Sequence, residues 1–143
     1  MAYINCTAAS AEVKVADSIN IDGVERPVTA IAYKAFYGNN KLVNVTIGKN
    51  VKNIYDEAFK NCKKLKKVTI NSKKLKTIGK SAFNGCKKLK TVTIKSTKLK
   101  KVGSSAFKGV ASSVTFKCPS KQLKAYKKLI KKAGAPSKAK YKK

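Results

Sequence analysis

The sequence predicts an α/β repeat solenoid of about four coils, each 23–24 residues long, with short parallel strands. The first observation is an Ala-Phe dipeptide that recurs at intervals of 23, 24 and 24 residues. The second is an alternation of apolar and polar residues that follows the dipeptide in each copy. The third is that both ends of the chain depart from the repeat, as the ends of a repeat array must to cover its core. The dipeptides are Ala35-Phe36, Ala58-Phe59, Ala82-Phe83 and Ala106-Phe107.

The alternating stretch in each copy has the form L-x-x-V-x-I and predicts a short strand with one buried face. The first three copies begin at Leu42, Leu65 and Leu89. The fourth copy, VASSVTF, is interpreted as two residues shorter, with Val114 and Phe116 in its last two apolar positions. On this alignment the residues between the apolar pairs project onto an open sheet face; they are Thr46, Thr69, Thr93 and Thr115.

A second apolar pair in each copy, as in LKTIG, leads into a tight turn that returns the chain through GKSAF or GSSAF. One coil cannot bury its own apolar stripe, so the coils must stack and share a core. The strands of neighbouring coils then lie roughly 4.8 Å apart.

The N-terminal segment, residues 1–27, is predicted to form a β cap. It alternates apolar and polar residues on both sides of Asp22-Gly23, and an Asx-Gly pair between two such runs is a strong β-hairpin signal. The repeat solenoid is expected over residues 28–118, and the whole chain is expected to fold as one domain.

The C-terminal segment, residues 119–135, is predicted to form a capping helix, with Ser120 as its N-cap and Gly134 as its stop. Residues 136–143 follow as a basic tail, either solvated or strand-like. The helix is expected to lay one apolar face on the last coil; that face comprises Leu123, Tyr126, Leu129, Ile130 and Ala133.

The repeat consensus A-F-x-x-C-x-x-L-x-x-V-x-I, preceded by I-G-x-x, closely resembles the BspA-like class of leucine-rich repeats over about residues 24–118. The matching segments are AFKNCKKLKKVTI, IGKSAFNGCKKLKTVTI and AFYGNNKLVNVTI, the last with Asn39 at the Cys position. The resemblance implies an extracellular or cell-surface location and a binding or adhesion module. Some members resemble adhesins for host matrix proteins. It implies no set of functional residues, because the motif positions are core positions.

The residue types that enzymes use are scarce, so we expect neither catalysis nor a cofactor. The chain has no histidine and only six carboxylates, and IGKSAF lacks the earlier glycine of a phosphate-binding loop. Asp56 and Glu57 are adjacent in YDEAF, where a solvated turn is the better interpretation than a catalytic pair.

The four cysteines do not have the spacing of a metal site. Cys62 and Cys86 share one repeat position and should stack inward on neighbouring coils, where reduced structural thiols are favoured over a disulfide because parallel Cβ vectors fit bridge geometry poorly. Cys6 and Cys118 lie at opposite caps, too far apart to join.

The charge is strongly one-sided. The net charge is +28, with 34 basic residues against six acids, and every acid lies at or before Glu57. Stacking places Lys63 beside Lys87 and Lys66 beside Lys90, and two such charges about 5 Å apart in water repel by roughly 0.8 kcal/mol. Because this repulsion between lysines opposes folding, the charge distribution predicts a polyanionic environment.

The favoured partner is therefore a protein or a polyanionic glycan or cell-wall polymer, with the chain expected to be a monomer. Nucleic acid is expected to bind non-specifically, because Arg26 is the single arginine and no recognition motif is present. A purely structural spacer within a larger surface protein is the alternative. The C-terminal helix is expected to cap the core rather than to lie on a membrane, and no transmembrane insertion is expected. The candidate binding surface comprises Asn44, Thr46, Lys67, Thr69, Lys90, Thr91, Thr93, Lys95 and Thr115.

Overall fold

The computed structural model describes residues 2–4, for which only the backbone is considered, and residues 10–143. Cys6, whose separation from Cys118 stays a prediction, lies outside the described residues. The elements are β1 (Ala2–Ile4), β2 (Glu12–Val15), β3 (Ser18–Ile21), β4 (Val24–Ile31), β5 (Asn44–Ile47), β6 (Asn53–Ile54), β7 (Lys67–Ile70), β8 (Thr77–Ile78), β9 (Thr91–Ile94), β10 (Lys101–Val102), β11 (Thr115–Lys117), a 3₁₀ turn (Ser120–Gln122), α1 (Leu123–Lys132) and β12 (Lys140–Lys142).

Two sheets run along the stack of coils. The first, called sheet 1, has the strand order β12-β11-β9-β7-β5-β2 and is parallel throughout. The second, called sheet 2, has the order β1-β4-β6-β8-β10, also parallel, with β3 added to β4 in antiparallel pairing. This is the leucine-rich-repeat solenoid that the sequence predicts, in which each coil contributes one strand to each sheet.

The strands of sheet 2 are a feature that sequence reasoning missed in the coils. The apolar pairs interpreted as leading into turns instead form the two-residue strands β6, β8 and β10. The predicted hairpin around Asp22-Gly23 is present, with Ile21 opposite Val24. Strand β4 runs across the expected boundary between residues 27 and 28, because its second half pairs with β6 as part of the solenoid.

The core is a single apolar cluster that extends from Val15 to Ala133. Its centre is a column of parallel phenylalanine rings, one from each coil. The ring centroids of Phe36 and Phe59 are 4.8 Å apart, those of Phe59 and Phe83 5.1 Å, and those of Phe83 and Phe107 5.5 Å. The 4.8 Å value is the spacing of hydrogen-bonded strands, so the backbone pairing sets the ring stacking.

The fourth coil is full length, which corrects the sequence alignment. Phe116 pairs with Val92, and Thr115 pairs with Thr91, so Phe116 occupies the valine position of the repeat rather than the isoleucine position. Buried Cys118, two residues further on, then takes the place of the isoleucine. The alignment was wrong because it counted the Val114 and Phe116 pair as the end of the apolar pattern and left Cys118 outside it.

Buried serines close the corners that follow β7 and β9 in sheet 1. Ser72 Oγ donates a 2.6 Å hydrogen bond to the carbonyl of Val51, and Ser96 Oγ donates a 2.7 Å bond to that of Leu75. In the last coil, the C-terminal cap supplies two hydrogen bonds near this corner. Tyr126 donates from its hydroxyl to the Ser96 carbonyl at 2.8 Å and accepts the Leu99 N–H at 3.0 Å.

The C-terminal cap agrees with the sequence in its apolar face and differs at its start. Tyr126, Ile130 and Ala133 are buried, and Leu123 and Leu129 pack against the core. Gly134 ends the helix with φ +89°, as predicted. Ser120 is not the N-cap, because a 3₁₀ turn comes first and Gln122 precedes α1, with no side-chain cap hydrogen bond at either position. The basic tail then adds β12 to β11, with the Tyr141 ring stacked on Phe116 at 5.5 Å.

Candidate interaction surface

The side of sheet 1 that faces away from the core, called here the outer face, carries two rows of polar residues. They alternate along each strand with buried residues such as Val45, Val68 and Val92, so strand pairing aligns them across the coils. The first row is Glu12, Asn44, Lys67, Thr91, Thr115 and Lys140. The second row is Lys14, Thr46, Thr69, Thr93, Lys117 and Lys142.

Most of the residues predicted from the sequence lie together on this outer face. Seven of the nine are members of the two rows. Thr115 is displaced from its expected position, because it continues the row of Thr91 rather than that of Thr93. Lys90 and Lys95 flank β9, with Lys90 just before the strand and Lys95 just after it. The predicted neighbour of Lys90 is confirmed, since its N–H donates to the carbonyl of Lys66 at 2.9 Å.

Sequence reasoning missed the lysines that the cap strands bring to the outer face. Lys117 takes the position that threonine holds in the preceding coils. Lys140 and Lys142 come from the tail, where the alternation K-Y-K was the available signal. At the other end, Asn44 donates from Nδ2 to the carboxylate of Glu12 at 2.6 Å. The outer face therefore changes from a mixed surface at β2 to a lysine-rich one at β11 and β12.

The adjacent acids Asp56 and Glu57 have separate structural contacts. Asp56 Oδ1 accepts the backbone N–H of Lys80 at 2.8 Å. Glu57 contacts Lys60 Nζ at 2.9 Å and Lys34 Nζ at 3.6 Å. The hydrogen bond from Lys60 holds the pKa of the Glu57 carboxyl below its usual value. The two carboxylates therefore bind separate partners within the fold, which is not the arrangement of a catalytic pair.

The described cysteines are buried free thiols. Cys62 donates to the carbonyl of Phe36 at 2.9 Å and Cys86 to that of Phe59 at 3.0 Å, which places them inward on adjacent coils as predicted. The hydrogen bond with Cys62 and burial raise the pKa of the Cys86 thiol well above its usual value. Burial raises that of Cys118 to about 11. The thiols of Cys86 and Cys118 are therefore protonated at neutral pH and poor nucleophiles, whereas the hydrogen bond with Cys86 lowers the pKa of Cys62.

Residues 2–4 and 10–143 contain no group of three or more His, Cys, Asp or Glu side chains arranged to hold a metal ion. Across the same part of the chain, no helix combines the length and apolar character that crossing a bilayer requires.

The fold, the repeat spacing and the outer face together define a bacterial leucine-rich-repeat protein. Residues 15–133 match the model of the BspA type leucine rich repeat region, with six copies, and the chain belongs to that family. The family is typically non-enzymatic, and its domains generally mediate protein binding.

Solved bacterial structures resemble the chain over much of its length. A leucine-rich repeat protein from Bacteroides capillosus ATCC 29799 is 34% identical with a TM-score of 0.61, over 66% of this chain and 67% of that one. A leucine-rich repeat protein from Bacteroides ovatus ATCC 8483 is 32% identical with a TM-score of 0.65, over 73% of this chain and 27% of that one.

A leucine rich cell surface protein from Faecalibacterium prausnitzii A2-165 shares the fold, at 24% identity and a TM-score of 0.56 over 78% of this chain and 38% of that one. No curated protein matches the chain.

Proposed function

We propose that this chain is a non-enzymatic interaction module of a bacterial cell-surface or extracellular protein. In this proposal its lysine-rich outer face engages an anionic glycan, a cell-wall polymer or an acidic host matrix protein. The observation that carries the proposal is the charge gradient of the outer face. It begins with Glu12 at β2 and ends with Lys117, Lys140 and Lys142 at β11 and β12.

The family membership supports a binding role, and the description of the Faecalibacterium relative as a cell surface protein supports the location. The unbalanced charge supports an anionic partner. All acids lie at or before Glu57, so the lysines of the later coils have no carboxylate within their own part of the chain. Like charges on neighbouring coils repel by up to roughly 0.8 kcal/mol per pair in water, and a bound polyanion would remove that repulsion.

The first test is thermal unfolding in the presence of teichoic acid, heparin, sialylated glycan and duplex DNA, at matched charge and at about 150 mM salt, where the Debye length is about 8 Å. We expect one carbohydrate or wall polymer to raise the melting temperature beyond the other polyanions. Equal shifts for every polyanion, reproduced by salt alone, would favour the structural-spacer alternative and non-specific nucleic-acid binding.

The second test places the contact on the outer face. We expect the double substitution Lys67→Glu and Lys90→Glu to weaken binding of the preferred polymer at least tenfold. It reverses one charge within the first row of the outer face and one charge just before β9. The matched control is Lys80→Glu with Lys101→Glu, which changes the net charge equally on exposed residues at sheet 2. Full affinity in a folded Lys67 and Lys90 variant would remove the outer face from the proposal.

A further inference from the structure

A second cationic surface lies beside the outer face, where the strands of sheet 1 end. Two open depressions meet there, with volumes of about 370 and 410 Å³. The first is lined by residues that follow β5 and β7, and the second by residues that follow β7, β9 and β11. Both depressions include Lys73 in their linings, and together they are called here the carboxyl-edge groove.

The carboxyl-edge groove arises from the parallel pairing of the coils. Parallel strands place all of their carboxyl ends at one edge of the sheet, so the residues that follow the strands stack into a line. The groove spans four coils, and three strand-to-strand steps of about 4.8 Å give it a length of about 14 Å. That is an extended site that suits a linear chain rather than a compact ligand.

The larger depression has a cationic rim and an apolar floor. Lys73, Lys95, Lys117 and Lys143 line its sides, and Ile94 with Cys118 lies between them. The ion pairs in the described part of the chain involve three other lysines, so these four amines are available for an external anion.

In the smaller depression, part of the lysine charge is neutralised, and the other lining residues are polar. Lys49 lies 3.5 Å from the carboxylate of Asp17, and Lys74 donates to Asn50 Oδ1 at 3.0 Å. Asn71 lies in its wall. The side-chain amide of Asn71 is a group that can hydrogen-bond a hydroxyl group of a ligand.

These features favour an acidic polysaccharide over a nucleic acid. A polysaccharide brings both anionic groups for the lysine rim and hydroxyl groups that can hydrogen-bond the Asn71 amide. Proteins that bind single-stranded nucleic acid use aromatic side chains for stacking, and the residues that line the groove are lysine, asparagine, threonine, isoleucine, cysteine and proline. Lysine acts as a point charge toward sulfate and carboxylate without the planar geometry of arginine.

We propose that the carboxyl-edge groove binds a linear acidic polysaccharide that carries sulfate or carboxylate groups. The anionic groups lie against Lys73, Lys95, Lys117 and Lys143, and a sugar hydroxyl hydrogen-bonds the Asn71 amide. This inference rests on the proposed function, for which it specifies the ligand class and a site beside the outer face.

The test compares heparin affinity for two double variants of equal charge at about 150 mM salt. The groove variant is Lys73→Glu with Lys143→Glu, whose exposed lysines line the groove and lie outside the two rows of the outer face. The control variant is Lys63→Glu with Lys87→Glu, whose lysines are exposed and precede β7 and β9, at the opposite ends of the strands. We expect the groove variant to lose at least tenfold more affinity than the control, with circular dichroism unchanged in both.

A neutral substitution separates site binding from overall charge. Asn71→Ala is expected to weaken heparin binding about threefold and to leave duplex DNA binding unchanged. Equal losses of heparin affinity in the two lysine variants would overturn the groove and leave the proposed function standing. Absence of selective heparin binding by the wild-type protein would overturn the groove proposal, and absence of selective binding to any glycan, cell-wall polymer or acidic protein would overturn both.

Discussion

At the scale of single residues, the turns around the stacked phenylalanines depend on left-handed backbone at two places in each coil. The residue two positions after each phenylalanine has positive φ and is usually glycine, as at Gly85 with φ +77°. The residue two positions before it also has positive φ, although it is never glycine in this chain. That set is Lys34, Glu57, Ser81 and Ser105.

The first prediction concerns this second position. Ser105→Gly should stabilise the protein by about 0.5–1 kcal/mol, because left-handed backbone costs an L-residue more than glycine loses in chain entropy. Ser105 has φ +58°. Urea unfolding measures the change.

The neighbouring serine provides the control. Ser104 is outside the positive-φ set, so Ser104→Gly should lower stability by up to about 1 kcal/mol. If both substitutions destabilised the protein equally, the turn would not be strained at Ser105.

At the scale of elements, helix α1 does more than cover apolar surface. Its Tyr126 hydroxyl hydrogen-bonds the Ser96 carbonyl and the Leu99 N–H, two backbone groups at the corner that follows β9. The cap therefore completes the hydrogen bonds of the last coil as well as its core.

The second prediction compares two buried tyrosines of the C-terminal cap. Tyr126→Phe should cost about 1–3 kcal/mol, because it leaves the buried Leu99 N–H and Ser96 carbonyl without their partner. Tyr141→Phe should be neutral or stabilising, since the buried Tyr141 hydroxyl has no hydrogen-bond partner among the described residues. Thermal unfolding of the two single variants checks the contrast, and similar losses would argue against it.

The elements also show what the sequence could predict. Strands β5, β7 and β9 followed from alternation because each has two buried and two outward residues. Strands β6, β8 and β10 did not, because two residues are too short for a period. The register of the fourth coil was missed because Cys118 stands where the other coils have isoleucine.

The candidate site, like the strands, was predictable only in part. The outer face follows from alternation within a strand, so its threonines and Lys67 could be located. The carboxyl-edge groove could not, because it combines residues after four different strands with Lys143 from the chain end. Their proximity depends on the register of stacking, which no local pattern contains.

At the scale of the whole molecule, the acids and the excess positive charge occupy different parts of the solenoid. Asp17 accepts the backbone N–H of Lys49 at 2.7 Å, and this bond holds the pKa of its carboxyl below the usual value. The pKa of Glu57 is also lowered, chiefly by Lys60. Both groups link the N-terminal cap and the first two coils.

The third prediction is that acid destabilises this N-terminal part first. A lowered folded-state pKa contributes stability above the unfolded value, near pH 4, and that contribution is lost as pH falls through the folded value. Protonation also removes the negative charges that offset the lysines. Hydrogen exchange at pH 6 and about pH 3, corrected for intrinsic rates, should show protection lost earlier in residues 10–57 than in residues 58–135.

The control for acid sensitivity is the double substitution Asp17→Asn and Glu57→Gln. It should lower stability at pH 7 and reduce the further loss between pH 5 and pH 3. An unchanged pH dependence in this variant would assign the acid sensitivity to other groups.

The identical stacking of successive coils has a consequence for how such a protein can change over generations. Removal of residues 75–98 would join two coils that already share their spacing, their phenylalanine and their corner contacts. Duplication of the same stretch would add one more. Each event would alter the carboxyl-edge groove by one strand spacing, about 4.8 Å. Recombination can thus change the length of polymer that the groove accommodates by one coil at a time. Point substitutions change the side chains within a coil.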